Sequence, residues 1–343
     1  MGSEMCIRDR SNALLFFFVS SQTLPFHFFM TFKRTLLLSL LLLPFVQARP
    51  SLAHGSHGGG GAELEAGEFN FTPLLTVEGH AGYDDNLEIP EQHFAADFLI
   101  GGEFAWGLGD DKQFSLSAFV GPALVRGGAE HFYGEIHVAE EGHDHEAHPI
   151  RQRVDFKAYL EANYKHSNRL SLQAYWNPYL VTSDELEFHA DEGEWESFES
   201  KGIKNELGAK VKYAFGDGDV DFGLGDSVSD LIDGAYVSVD HRQGWGVDGV
   251  FIGHYTDPRL GVGFNYGETA FQIEAGPRFY TPGSYASDLK SRTDVAGEIM
   301  ISRPVNDEVE FFAHWKVVYT WDKTEGWGRG YQHHLGTGIT YKL

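Results

Sequence analysis

The sequence predicts an all-β fold: a single transmembrane antiparallel β-barrel of fourteen strands, with twelve as the alternative, short periplasmic turns and long extracellular loops. Three observations predict it. Strand-length runs alternate apolar and polar residues, the connections between them alternate short and long, and the pattern continues to the last residue. The clearest run is Arg151–Leu180. One parity holds Val154, Phe156, Ala158, Leu160, Ala162 and Tyr164, and the other holds Asp155, Lys157, Tyr159, Glu161, Asn163 and Lys165. Side chains alternate across a strand, so this is one apolar face and one charged face. After a turn at Ser167–Arg169 the pattern resumes with Leu170, Leu172, Ala174 and Trp176 against Ser171, Gln173, Tyr175 and Asn177. Both runs exceed the ~5–6 residues of an ordinary strand and meet the ~9–11 that a tilted strand needs to cross a bilayer.

The other runs follow in order. Pro73–Tyr83, Phe94–Trp106 and Phe114–Val125 precede the hairpin, and Lys204–Phe215 follows it, ending at Gly216–Asp219, a hairpin-turn signal. Val220–Tyr266 is less regular and is read as four short runs: Val220–Leu224, Ala235–Asp240, Val247–Tyr255 and Leu260–Tyr266. Ala270–Tyr280, Asp294–Ser302, Val309–Trp321 and Tyr331–Leu343 complete the set. Short connections at Gly109–Lys112, Ser167–Arg169, Gly216–Asp219, Tyr266–Thr269 and Pro304–Asp307 alternate with long polar ones at Arg126–Ile150, Ser183–Gly202, Thr281–Ser291 and Asp322–Gly330. An even strand count preserves this alternation. It also returns the C-terminus to the side of the short turns.

Of 343 residues, 50 are Asp or Glu and 26 Lys or Arg, for a formal net charge of −24. That balance argues against nucleic-acid binding, which relies on Lys and Arg at phosphates. The one cysteine, Cys6, sits in Met5-Cys-Ile-Arg-Asp-Arg-Ser11, which resembles translated sequencing-adaptor read-through. Residues 1–29 are therefore expected to be a non-native extension, with Met30 as the start. Met30–Thr35 supplies a basic n-region and Leu36–Val46 an apolar h-region. Ser51-Leu52-Ala53 forms a small-x-small cleavage site, with Val46-Gln47-Ala48 as its rival, so residues 30–53 read as a secretory signal peptide. Residues 54–70, rich in His and Gly, form a flexible lead-in to a barrel over 71–343. The mature chain then has neither disulfides nor thiolate metal sites.

At the C-terminus, Leu335, Thr337, Ile339, Tyr341 and Leu343 alternate up to the final residue. This resembles the C-terminal assembly signal of bacterial outer-membrane β-barrels, which most often closes on Phe where this chain has Leu343. The resemblance covers about Phe71–Leu343 and is porin-like in architecture. It implies an outer-membrane location in a Gram-negative-type bacterium, contact with lipid and lipopolysaccharide, and insertion by the barrel-assembly machinery.

The inward parity of the runs collects the candidate pore-lining residues: Glu78, His80, Asp97, Glu103, Asp155, Lys157, Glu161, Lys165, Lys210, Lys212, Glu274, Arg278, Glu298, Glu310, His314 and Lys316. Mixed acids and bases along a wet channel tune ion selectivity, and equally they can neutralise one another and merely keep the lumen polar. The acid excess favours cations at the mouth, within the limits of salt screening. Candidate metal ligands are His131, His137, His143, His145 and His148, interleaved with carboxylates in one loop, and His189 in the next. Imidazole suits Zn²⁺, Cu²⁺ or Ni²⁺, and a flexible tract would hold such ions weakly; a solvated acidic loop is the plainer alternative. Asp184, Glu185, Glu187, Asp191, Glu192, Glu194, Glu196 and Glu199 could take Ca²⁺, although no EF-hand spacing is present.

The expected function is a pore for passive passage of small hydrophilic solutes, cation-preferring and linked to divalent metal uptake through the His-rich loop, with no cofactor required. The alternative class is a non-conducting barrel whose loops bind metal or a surface partner. A lipid hydrolase would need a His such as His80, His241, His254, His314, His333 or His334 beside Ser or Asp, and spacing assigns no such triad. No catalytic residue is expected.

Overall fold

A computed structural model describes residues 64–85, 91–127, 151–182, 188–189, 194–195, 200–216, 234–247, 249–283, 290–321 and 329–343. Their strands are β1 (Phe69–Asp84), β2 (Glu91–Gly109), β3 (Lys112–Gly127), β4 (Arg151–Ser167), β5 (Leu170–Thr182), β6 (Phe188–His189), β7 (Glu194–Trp195), β8 (Ser200–Ala214), β9 (Ala235–Trp245), β10 (Phe251–Tyr266), β11 (Thr269–Pro282), β12 (Arg292–Pro304), β13 (Val309–Thr320) and β14 (Gly330–Lys342). All but β6 and β7 form one closed antiparallel barrel in the order β1-β14-β13-β12-β11-β10-β9-β8-β5-β4-β3-β2. The first and last strands close it, from Leu74↔Lys342 to Asp84↔Gln332. The β6–β7 pair is a separate two-stranded piece between β5 and β8.

The alternating runs become strands because closure lets both of their faces be solvated correctly. Every backbone N–H and C=O inside a bilayer must pair within the protein, and a closed sheet leaves no edge. The outward face carries Phe98, Ile100, Val120 and Leu260 at 41, 56, 54 and 69% exposure, an apolar surface that water would reject and lipid accepts. Aromatic pairs ring both ends. Phe71 stacks on Phe104 at 4.6 Å, and Phe69 meets Trp106 at 5.2 Å, near the end where β1 begins and β14 stops. Tyr319 meets Tyr331 at 4.6 Å and Trp245 meets Phe251 at 5.6 Å near the other end. Amphipathic rings at these two levels mark the lipid–water boundaries. The turn between β2 and β3 places Asp110 and Asp111 at φ of 53° and 59°, the two left-handed residues that a type I′ hairpin requires.

The barrel has twelve strands, so the fourteen-strand expectation is corrected to its twelve-strand alternative. Two of the short runs, Val247–Tyr255 and Leu260–Tyr266, belong to the single strand β10. Thr256-Asp-Pro-Arg259 reads locally as a break because proline removes a ladder donor. The strand nevertheless continues: pairing toward β9 runs through Asp257↔Asp240, Pro258↔Val239 and Arg259↔Ser238, while pairing toward β11 lapses over these three residues. Of the Gly216–Asp219 turn, all but Gly216 lies outside the described residues. The strand that pairs with β8 is β9, starting at Ala235, with Ala214 opposite Tyr236. The Val220–Leu224 run lies outside the described residues. β1 begins at Phe69, two residues before the expected barrel boundary.

Candidate functional site in the barrel lumen

Inward side chains of a twelve-stranded barrel converge on a narrow lumen, and here most of them are polar or charged. Charges removed from water need partners within hydrogen-bond reach. The simplest arrangement places an acid and a base two residues apart on one strand, where both point the same way. β9 does this with Asp240 and Arg242, β10 with Asp257 and Arg259, and β12 with Arg292 and Asp294.

These local pairs link into a network over β8–β12. Arg242 reaches Asp240 and Glu206, each at 3.1 Å, and lies 4.8 Å over the Tyr175 ring, whose hydroxyl donates to Asp240 at 2.5 Å. Asp257, fully buried, takes Arg259 Nη2 at 2.5 Å and Arg278 Nη2 at 2.7 Å. Glu274 accepts from Arg259 at 2.9 Å, Lys210 at 3.1 Å and Tyr236 at 2.9 Å. Lys316 approaches Glu298 at 3.9 Å.

The opposite wall, from β1, β2, β13 and β14, is built on histidine. His80 Nε2 lies 2.9 Å from Asp97 Oδ2, which also receives Lys157 Nζ at 2.8 Å. His80 Nδ1 faces His334 Nε2 at 3.1 Å, and His314 Nδ1 is 3.5 Å from Glu78 Oε1. His93 stands next in the column, its ring centroid 6.1 Å from that of His334. Rings in the lumen recur over glycines on the adjoining strand. Tyr175 is registered with Gly208, Tyr236 with Gly261, His93 with Gly82 and His314 with Gly336, and a Cβ at each of these glycines would collide with the ring.

Between the two walls lies a cavity of about 250 Å³. Of the residues singled out from sequence, His80, Lys157, Glu161, Lys210, Lys212, Glu298, Glu310, His314 and Lys316 line it. Glu78, Asp97, Glu103, Asp155, Lys165, Glu274 and Arg278 are buried. Asp155 sits at the level where β5 ends, accepting from the Tyr179 hydroxyl and from the Thr182 backbone N–H at 2.9 Å. His131, His137, His143, His145 and His148 lie outside the described residues, as does most of the acidic stretch that follows β5. His189 lies in β6 opposite Glu194, and the two are not part of the barrel. Sequence reasoning missed Glu206, Asp240, Arg242, Asp257, Arg259, His93 and His334 as lumen residues. The i, i+2 acid–base spacing of Asp240/Arg242 and Asp257/Arg259 was the signal available, obscured by cutting β9 and β10 into short runs.

Residues 223–343 match the family model of the cyanophage outer membrane protein-like β-barrel domain, about a third of the chain. Together with the closed barrel and its apolar exterior, this defines the class: an outer-membrane β-barrel, porin-like in architecture. Similar solved structures include an outer membrane channel from Pseudomonas putida F1, 9% identical over 87% of this chain and 100% of that one, TM-score 0.47. The translocator domain of the autotransporter NalP from Neisseria meningitidis is 9% identical over 92% of this chain and 96% of its own, TM-score 0.43. The β domain of the Bordetella autotransporter BrkA is 9% identical over 80% and 99%, TM-score 0.41. No curated protein matches the sequence.

Proposed function

We propose that this barrel is an outer-membrane pore for small hydrophilic solutes that prefers cations and passes divalent metal ions. The observation that carries the reading is a cavity inside a closed barrel, lined in part by charged side chains such as Lys157, Glu161, Lys210 and Lys316. A wet, charged lumen conducts ions, whereas an apolar one excludes them.

Cation preference is drawn from where the excess acid lies. Among lumen groups, acids and bases are largely matched, as in the Glu274–Lys210–Arg259 and Asp257–Arg278 pairings. Residues 128–150 hold six acids and residues 183–199 eight, with no Lys or Arg in either segment. The strands that flank both segments, β3 and β4, β5 and β8, end at the rim away from where β1 begins and β14 stops. Acid concentrated at one rim raises the local cation concentration before entry. The histidines of 131–148 add a weak, exchangeable preference for Zn²⁺, Cu²⁺ or Ni²⁺ over Ca²⁺ or Mg²⁺.

Planar-bilayer recording of the refolded protein tests this. Discrete conductance steps, with a reversal potential displaced toward the cation potential under a KCl gradient, are the expected result. A folded barrel without steps would move the assignment to a non-conducting metal- or partner-binding barrel. Steps with anion preference would keep the pore and remove the charge argument.

A further inference from the structure

We propose that the lumen wall carries a binding site for a borderline divalent metal such as Zn²⁺, built from His80, His314, His334 and Glu78. It is separate from the His-rich 131–148 segment, and it stands whether or not the barrel conducts.

The site follows from strand register. β14 lies between β1 and β13, and Gly336 of β14 is registered with His80 on one side and His314 on the other. A side chain at 336 would keep the flanking imidazoles apart, since a Cβ there would collide with the His314 ring. Glycine leaves a pit that the His314 ring and Glu78 Oε1 occupy. His334, two residues along β14 on the same face, closes it from above. The ring centroids of His80–His334, His314–His334 and His80–His314 are 5.1, 5.4 and 6.0 Å apart. One nitrogen from each ring lies within 4.8 Å of the other two. Tetrahedral Zn²⁺ with ~2.0–2.1 Å bonds needs ligand nitrogens a little over 3 Å apart, so each ring closes by less than about 1 Å. His80 Nδ1 and His334 Nε2 already stand at 3.1 Å.

The surrounding groups favour a cation at that point over a hydrogen-bonded histidine cluster alone. His80 Nε2–H donates to Asp97 at 2.9 Å, and Asp97 is fixed in turn by Lys157 at 2.8 Å. With Nε2 protonated, Nδ1 presents its lone pair to His334. The proton shared between those two nitrogens is the position a metal ion would take, with release of the proton. A carboxylate behind a histidine ligand is the usual way proteins fix its tautomer and raise its basicity. Glu78, buried, with its carboxylate 3.5 Å from His314 Nδ1 and 3.4 Å from His80 Nε2, is the candidate fourth ligand. Three imidazoles and one carboxylate make a closed tetrahedral set for Zn²⁺, and equally a set for Cu²⁺ or Co²⁺, but a poor one for Ca²⁺ or Mg²⁺. Lys316, registered opposite His334, points its ammonium toward Glu298 at 3.9 Å. The site opens on the central cavity, which His80, His314 and His334 line, so an ion in the lumen reaches it without crossing the wall.

The test is calorimetric titration of the refolded full-length barrel with Zn²⁺ in detergent, a measurement that requires no conductance. A variant with His131, His137, His143, His145 and His148 all changed to Gln should retain one tight site per chain. On that background His314→Gln and His334→Gln should each weaken it at least on the order of 100-fold. Asp97→Asn should weaken it ~10–100-fold, as loss of the carboxylate behind a ligand does. Gly336→Ala keeps every ligand and displaces the His314 ring, so it should weaken the site as well. Heat-dependent electrophoretic mobility reports whether each variant is folded. Should the His variants fail to fold, the loop variant alone decides through Co²⁺: visible absorption bands of tetrahedral Co²⁺ are expected, and their absence overturns the proposal. Tight binding that vanishes in the loop variant, or survives unchanged in folded His314→Gln and His334→Gln, overturns it equally.

Discussion

Glu274 and Glu298 face each other directly across the β11–β12 ladder, and Arg259 Nη1 stands between them, 2.9 Å from one carboxylate and 3.3 Å from the other. Like charges opposite each other destabilise a sheet. One guanidinium turns this repulsive pair into a cross-link joining β10, β11 and β12, and its other arm holds Asp257. Arg259 thus contacts three carboxylates on three strands, two of which also bind a second cation, Glu274 to Lys210 and Asp257 to Arg278.

Arg259→Gln should therefore cost on the order of 3–5 kcal/mol, the range for removing one partner of a buried charge cluster. Urea unfolding in lipid vesicles would measure it. Adding Glu298→Gln should recover part of the loss, because the repulsion between the facing Glu274 and Glu298 is then removed. If the double variant is no more stable than Arg259→Gln alone, the repulsion assigned to this pair is absent.

The two faces of the wall should answer differently to the same charge. Phe98 faces outward at 41% exposure, at the level of Val77 and midway between the aromatic rings, so Phe98→Arg places a guanidinium in lipid at a cost of ~2–4 kcal/mol. Gln173 lines the lumen cavity, and Gln173→Arg should shift the unfolding midpoint far less. Equal losses would contradict the orientation of the sheet.

Glycine beneath a ring sets the lumen's width. Tyr175 lies over Gly208 and donates to Asp240 at 2.5 Å. Gly208→Ala should push the ring into the lumen, with ~1–3 kcal/mol of strain, and lower single-channel conductance. An unchanged conductance would mean that Tyr175 does not border the conducting path.

Salt should weaken the cation preference. Screening shortens from ~10 Å at 0.1 M to ~3 Å at 1 M, so charge concentrated at one rim loses its reach over the mouth. Reversal potentials measured at fixed KCl ratio and rising ionic strength should approach zero. Replacing the acids of 183–199 by amides should lower the preference already at 0.1 M.

The alternation of Val154–Lys165 was enough to give a two-faced strand, and with it the lipid side of the wall, because the period of two is a property of the extended chain alone. The same local rule placed on one parity nine of the residues that line the cavity, from His80 to Lys316. It failed at Thr256–Arg259, where a proline reads as an ending. The strand continues there because its ladder with β9 runs unbroken through Asp257, Pro258 and Arg259. Strand number, the Arg259 cross-link and the meeting of His80, His314 and His334 over Gly336 were decided by the tertiary structure. Each depends on which residues closure and register bring opposite one another. His80 and His334 are 254 positions apart in the chain yet 3.1 Å apart in the lumen. No local pattern encodes that approach, because β1 and β14 become neighbours only when the barrel closes.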